Sequence, residues 1–239
     1  MPPDAEGRAT HGRDQLQRLY REVLPRLLEL PRDRGLSAPH FIDPPEEFWT
    51  ARARIVVVGQ QTDGWGTEGK TALHDGEGAG RVEDLMTSHR DFGLGVGLTR
   101  TPFWQATNTL SNELATEGAA VTVSNLAKMD QDGKQPDTDI MDRLLEMRIL
   151  PRELEILRPD HVVFFVGPTR ESVLRETFEE SAPAWERPVV RFTLPGNVQA
   201  TWSYHPGYLR RSGKWSVVDG IVQAIRDELE PTRQSAAGG

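Results

Sequence analysis

Two stretches of this chain, Ile55–Val58 (IVVV) and Val162–Val166 (VVFFV), are apolar without interruption and rich in β-branched or aromatic residues. No other feature constrains the fold as strongly. A strand with one face in water alternates polar and apolar side chains, whereas a continuously apolar strand is buried on both faces, as in a parallel sheet covered by helices. Val121–Val123 (VTV) and Val189–Phe192 (VVRF) are two further short runs rich in β-branched or aromatic residues, though each is interrupted by a polar one. Around them lie segments with helical spacing. From Asp14 to Leu30 the residues Leu16, Leu19, Tyr20, Val23, Leu24, Leu27 and Leu28 recur on one face, with Pro25 predicting a kink or break. Trp104–Thr116, Asp139–Leu157, Arg170–Glu179 and Val217–Leu229 read as helices too. This alternation predicts a three-layer α/β/α fold around a central, mostly parallel four-stranded sheet.

The 239 residues suffice for one substantial α/β domain, and no repeat or composition shift marks a second. The reading is a single domain over 13–230, with residues 1–12 and 231–239 as disordered tails. Thr67–Arg100 breaks the alternation. Its glycine patches predict a long irregular loop, a feature that is often functional and otherwise a surface insertion.

The chain has no cysteine, which excludes disulfides, thiolate zinc sites and iron–sulfur clusters and fits a reducing cytoplasm. The segment MPPDAEGRATHGRDQ lacks the apolar core of a signal peptide, and no window approaches the roughly 18 apolar residues of a membrane span. A soluble, cytoplasmic monomer without a membrane partner is expected. The net charge of −8 argues against a long electrostatic groove for nucleic acid, though gripping a few phosphates needs only a local basic cluster. No metal or other cofactor is predicted. The histidines show no metal-ligand pairing, Asp130–Lys134 (DQDGK) lacks the distal glutamate of a calcium loop, and no G-x-S-x-G turn is present.

Two candidate sites compete within IVVVGQQTDGWGTEGKT. Gly64–Thr71 matches G-x-x-x-x-G-K-T, a phosphate-cradling loop of nucleotide hydrolases. Such a loop leaves its strand directly and enters a helix. Here five residues, 59–63, separate Val58 from Gly64, and ALHDGEGAG is a poor helix start. No apolar strand ends in the aspartate that would hold magnesium. Lys70 therefore reads as a solvated loop residue, and nucleotide hydrolysis as an alternative of lower rank.

The other half is a strand end. In open parallel sheets ligands gather at the carboxyl ends of the strands. There the chain places Gly59-Gln60-Gln61-Thr62-Asp63-Gly64-Trp65, then Ser124-Asn125, then His205-Pro206 followed by Arg210, Arg211 and Lys214. If the strands are parallel, Gln61, Asp63, Asn125 and His205 could converge at one edge.

The ordered motifs VVVGQQTDGW, VTVSNLAK and SYHPGYLRR resemble those of the uracil-DNA glycosylase superfamily over roughly Ile55 to the C-terminal helix. The resemblance implies a metal-independent, monofunctional glycosylase that flips a base from DNA and hydrolyses its N-glycosidic bond. Gln61 stands where the family carries its catalytic Asp or Asn, no proline follows, and Gly207 replaces the serine of H-P-S; a carboxylate occurs at Asp63. Such hydrolysis builds positive charge on the sugar and negative charge on the departing base. Asp63 is the candidate carboxylate, although it equally suits a cap of its own turn. Gln61 could position water, and His205 could donate to the leaving base. Asn125 offers a donor and an acceptor to a pyrimidine edge, or else fixes its turn. Gln60 adds an amide to the base-binding set, and Trp65 and Phe92 are aromatic candidates for stacking or for the core. Tyr208 and Leu209 stand where the family inserts a wedge, with Arg210, Arg211 and Lys214 as phosphate contacts. The implied substrate is uracil or a modified or hypermodified pyrimidine, in DNA repair or antiviral defence against phage. A non-catalytic DNA-binding relative is the other alternative.

Overall fold

The computed structural model describes residues 5–65, 80–94, 100–178 and 188–229. Helices α1 (Ala5–Leu28) and α2 (Glu46–Thr50) precede strand β1 (Ala53–Gly59). Then come α3 (Gly80–Phe92), α4 (Pro102–Ala115), β2 (Ala119–Asn125), α5 (Thr138–Glu146), α6 (Ile149–Leu157) and β3 (His161–Phe164). The chain continues with α7 (Glu171–Phe178), β4 (Val189–Leu194), β5 (Val198–Ser203), α8 (Pro206–Arg211) and α9 (Ser216–Leu229). Among the described residues the strands form one five-stranded sheet in the order β2-β1-β3-β5-β4. Strands β1, β3 and β5 are parallel, and β4 returns antiparallel to β5. The fold is thus α/β with a mostly parallel sheet flanked by helices. Ile55–Val58 and Val162–Phe164 are fully buried, as their uninterrupted apolar character requires.

Four differences from the sequence reading have physical causes. The sheet has a fifth strand, β5, the β segment leading to His205 that the count of four left out. Thr201 and Ser203 are buried there because each hydroxyl is bonded, the first to His161 Nε2 (2.9 Å) and the second to the Pro188 carbonyl (2.8 Å). The glycine-rich segment is not a loop throughout, since α3 occupies its middle with Val82, Leu85, Met86 and His89 buried at helical spacing. Asp139–Leu157 is two helices rather than one. The chain turns at Arg148 (φ 49°), and Pro151 falls in the first turn of α6, where its missing N–H costs nothing. Finally, α1 begins at Ala5, so residues 5–12 belong to a helix and not to a tail. Gly12 lies so close to Trp49 that a Cβ there would fall 2.3 Å from the ring. The same helix runs unbroken through Pro25 to Leu28. Residues 231–239, the other expected tail, lie outside the described residues.

The chain divides into two compact units, each assembled from three segments. The first comprises Met1–Trp49, Gly59–Gly93 and Val123–Leu157; the second comprises Thr50–Val58, Leu94–Thr122 and Arg158–Gly239. No linker separates them along the sequence, which is why composition gives no boundary. In the first unit α1 packs on α6 and α3, and in the second α4 packs on α9 and α8.

Candidate functional site

In the first unit the chain leaves β1 at Gly59 and must satisfy the backbone of an irregular bend. Its partners come from the segment after β2. Leu126 N–H donates to the Gly59 carbonyl and Ala127 N–H to the Gln60 carbonyl, both at 2.9 Å. Further along, the buried Asp130 carboxylate holds the bend. One oxygen accepts the Thr62 hydroxyl (2.5 Å) and Gly64 N–H (2.9 Å), and the other accepts Gly133 N–H (2.8 Å). Ser37 ties in a third segment, exchanging backbone and hydroxyl bonds with Asp130 and meeting Thr62 Oγ1 at 3.1 Å. Two of the three sequence motifs, Gly59–Trp65 and Ser124-Asn125, are therefore joined directly.

Asn125 is only 7% exposed, and its side-chain amide forms no hydrogen bond among the described residues. Gln61 is half-buried. Its Oε1 is shielded from water and accepts no hydrogen bond among the described residues. Such orphaned acceptors are uncommon, because burying one without a partner is unfavourable. Asp63 is exposed, with no partner for its carboxylate among the described residues, and sits beside Gly133. Capping of the bend falls to Asp130, so Asp63 does not serve as the cap. Gln60 is half-buried at the strand exit.

An aromatic series runs inward from Trp65. That ring meets Phe92 edge-on at 5.3 Å and His40 at 4.8 Å, and His40 meets His89 at 5.1 Å. Trp65 and Phe92 are half-buried, while both histidines are buried. His89 Nδ1 accepts from Asp43 N–H (3.1 Å), so its proton resides on Nε2 and is donated to the Val123 carbonyl (3.1 Å). The Asp43 carboxylate is neutralised by Arg13 (2.9 Å) and Arg90 (2.7 Å). Burial holds His40 well below the ordinary histidine range, helped by His89 and Lys128, and burial also lowers His89. Below them lies a polar network that sequence reasoning missed. Lys128 Nζ is 2.5 Å from both Ser124 Oγ and Glu153 Oε2, Ser124 Oγ donates to Glu153 Oε2 (2.8 Å), and Tyr20 OH donates to Glu153 Oε1 (2.8 Å). Burial, reinforced by Glu153, raises the Tyr20 phenol well above its usual value. Only the position of Lys128 three residues after Asn125 hints at this in the sequence.

In the second unit, the register aligns Val58, Phe164 and Trp202 in one row at the carboxyl edge of the sheet. Three residues past Trp202, His205 caps α8, its Nδ1 accepting from Gly207 N–H at 3.1 Å. In the neutral ring the proton is then on Nε2, available to an acceptor. Burial, aided by Arg211, lowers the His205 pKa, and the ring stacks on Phe103 at 6.0 Å. A Cβ at Gly207 would come 3.2 Å from His205 Nδ1, a tight contact that a side chain there would meet with a shift of a few tenths of an ångström in the ring. Tyr208 is 41% exposed and packs against Tyr204 at 4.8 Å. Leu209 is fully buried, so the expected surface wedge at that position is corrected: it is a core residue of α8, and Tyr208 alone of the pair faces outward. Arg210 lies 4.2 Å over the Trp215 ring and donates to Gln105, while Arg211 and Lys214 are exposed.

The phosphate-loop match is described only at Gly64 and Trp65; Lys70 and Thr71 lie outside the described residues. Among the described residues no group of three histidines or carboxylates is placed to hold a metal ion, and no helix is long and apolar enough to cross a membrane. No protein-family model and no curated protein matches the chain.

Proposed function

We propose that this chain is a monofunctional DNA glycosylase that extrudes a pyrimidine, uracil or a modified form, and hydrolyses its N-glycosidic bond. The observation that carries this reading is the pairing of Gly59–Gln60 with Leu126–Ala127. It fastens a bend bearing an unpartnered amide oxygen, Gln61 Oε1, to a strand end bearing an unpartnered amide, Asn125. Two side-chain amides held ready with open hydrogen-bonding capacity suit a neutral heterocycle with its own donors and acceptors.

In this reading the first unit supplies Asn125 to the base edge, Trp65 and Phe92 to its face, Gln61 to the attacking water and Asp63 to the developing sugar cation. Taken by itself, the second unit carries in His205 an Nε2 proton of the kind that stabilises the negative charge of a leaving base, and on or beside α8 the side chains Tyr208, Arg210, Arg211 and Lys214, which suit a strand and its phosphates. Water adds its hydroxyl to C1′ as the C–N bond breaks. The bonding pair leaves with the base, and the remaining water proton balances that charge. No cofactor enters.

The test is a panel of oligonucleotides carrying different pyrimidines, incubated with the protein and then cleaved by alkali at abasic sites. On the preferred base, Asn125→Ala and His205→Ala should each lower the single-turnover rate by about 100-fold or more. DNA retained without any abasic product would identify a non-catalytic relative, a reading to which the neutral Gln61 at the acid position lends support. Full activity in both variants would refute the assigned roles.

A further inference from the structure

We propose that Lys128 is a positioning residue for base recognition, clamping the Ser124–Asn125 strand end from inside the first unit. This rests on the glycosylase reading. The geometry encloses Asn125 on both chain sides. Before it, Ser124 Oγ is held by the Lys128 ammonium and by Glu153 of α6. After it, the turn returns to Lys128, whose carbonyl accepts His40 N–H at 2.7 Å. The same turn carries the Leu126 and Ala127 amides that grip Gly59 and Gln60. Lys128 is thus the knot of a loop containing Asn125, with its side chain 2% exposed and that of Glu153 fully buried.

A buried ion pair contributes little net stability compared with apolar residues of the same volume. It does fix geometry, because an ammonium and a carboxylate deprived of water tolerate few arrangements. The charge has a second effect on the aromatic series beside Trp65. His40 faces His89 and Lys128; His89 faces Lys128 and Asp43, and Asp43 is itself paired with Arg13 and Arg90. Lys128 lowers both histidines after burial has done so, leaving uncharged rings behind Trp65. A neutral aromatic wall favours a nucleobase over a phosphate.

The test uses the full chain and the double variant K128M/E153Q. It removes both buried charges together, and glutamine still accepts from Tyr20. Residue-resolved amide exchange should accelerate by roughly tenfold or more at Leu126 and Ala127, with the β3 amides of Val162–Phe164 unchanged. On the preferred oligonucleotide kcat should fall about 100-fold, with Kd for the DNA unchanged. NMR titration should place the His40 and His89 midpoints higher than in the parent protein. Unaltered exchange at Leu126 and Ala127, or local loosening with kcat intact, overturns the proposal. Equal acceleration in β3 does so as well, since it marks a merely structural role. Should K128M/E153Q fail to fold, K128R, which keeps the charge but alters its reach, is read at the same two amides by the same criteria. If local exchange rises while the parent protein releases no base from any oligonucleotide, the clamp stands and the glycosylase reading falls.

Discussion

The interior of the first unit and the surface of α8 in the second use charged and aromatic residues in opposite ways. Lys128, Glu153, Ser124 and Tyr20 are removed from water and bonded to one another. Arg210 is exposed, its guanidinium spread over Trp215 and bonded to Gln105, with Tyr208 exposed nearby in sequence. The first arrangement pays a large desolvation cost and loses much if one member is removed. The second costs little to make and little to break. A part that must hold a fixed outline for a base benefits from the former. A part that follows a charged backbone benefits from the latter, because its contacts must adapt and exchange with counterions.

The contrast can be broken most decisively at Glu153. Replacement by alanine strands the Lys128 ammonium, and stability measured by urea unfolding should drop by about 3–5 kcal/mol; a loss below about 1 kcal/mol would mean the network is not a rigid unit. A second probe is pH, which sharpens the comparison by testing buried neutral rings. His161 in the second unit, bonded to Thr201, is lowered to about 4 by burial and by Arg191. As pH falls below the ordinary histidine value, the unfolded chain takes up the proton first, so stability declines until the folded ring is protonated near pH 4. Between pH 7 and pH 5 this site contributes a loss on the order of 2 kcal/mol. His40, His89 and His205, all lowered as well, act in the same direction. Urea midpoints should therefore fall with acidification, and less steeply in His161→Gln; a flat profile would contradict the burial of these rings. The smallest effect is expected at Arg210. Arg210→Ala should change stability by less than about 0.5 kcal/mol while lowering the salt dependence of DNA binding by about one unit of slope. A large stability loss there would erase the distinction between the two regions.

Much of the architecture is readable from local pattern, and the exceptions are instructive. β1 and β3 announce themselves because burial on both faces demands unbroken apolar runs. β5 is legible as the β segment that leads to His205, yet it escapes a count of apolar runs because its interior polar residues are satisfied by partners far along the chain, as with Thr201 and His161. α3 hides because glycines on either side mask a good helical face. Gln61 and Asn125 are readable as strand-end residues, since their placement follows from the strands themselves. Lys128–Glu153, Tyr20–Glu153 and the Asp43–His89 pair are not, because their members lie 25, 133 and 46 residues apart. Asp130 fits an incomplete calcium loop in sequence yet works as the clasp of the Gln61 bend. Leu209 looks like a wedge beside Tyr208, but one step along a helix turns a side chain by about 100° and carries it from surface to core.

The threading of the two units also bears on how the molecule can be made and altered. Because each is stitched from three separated stretches, no contiguous fragment contains either, and neither can be excised, duplicated or exchanged as a cassette. Contacts that close such a weave join distant residues, so folding should be slow and synthesis must reach the last stretch before the second unit can assemble. Tolerance for inserted residues is confined to surface connections, where lengthening a loop leaves the weave intact.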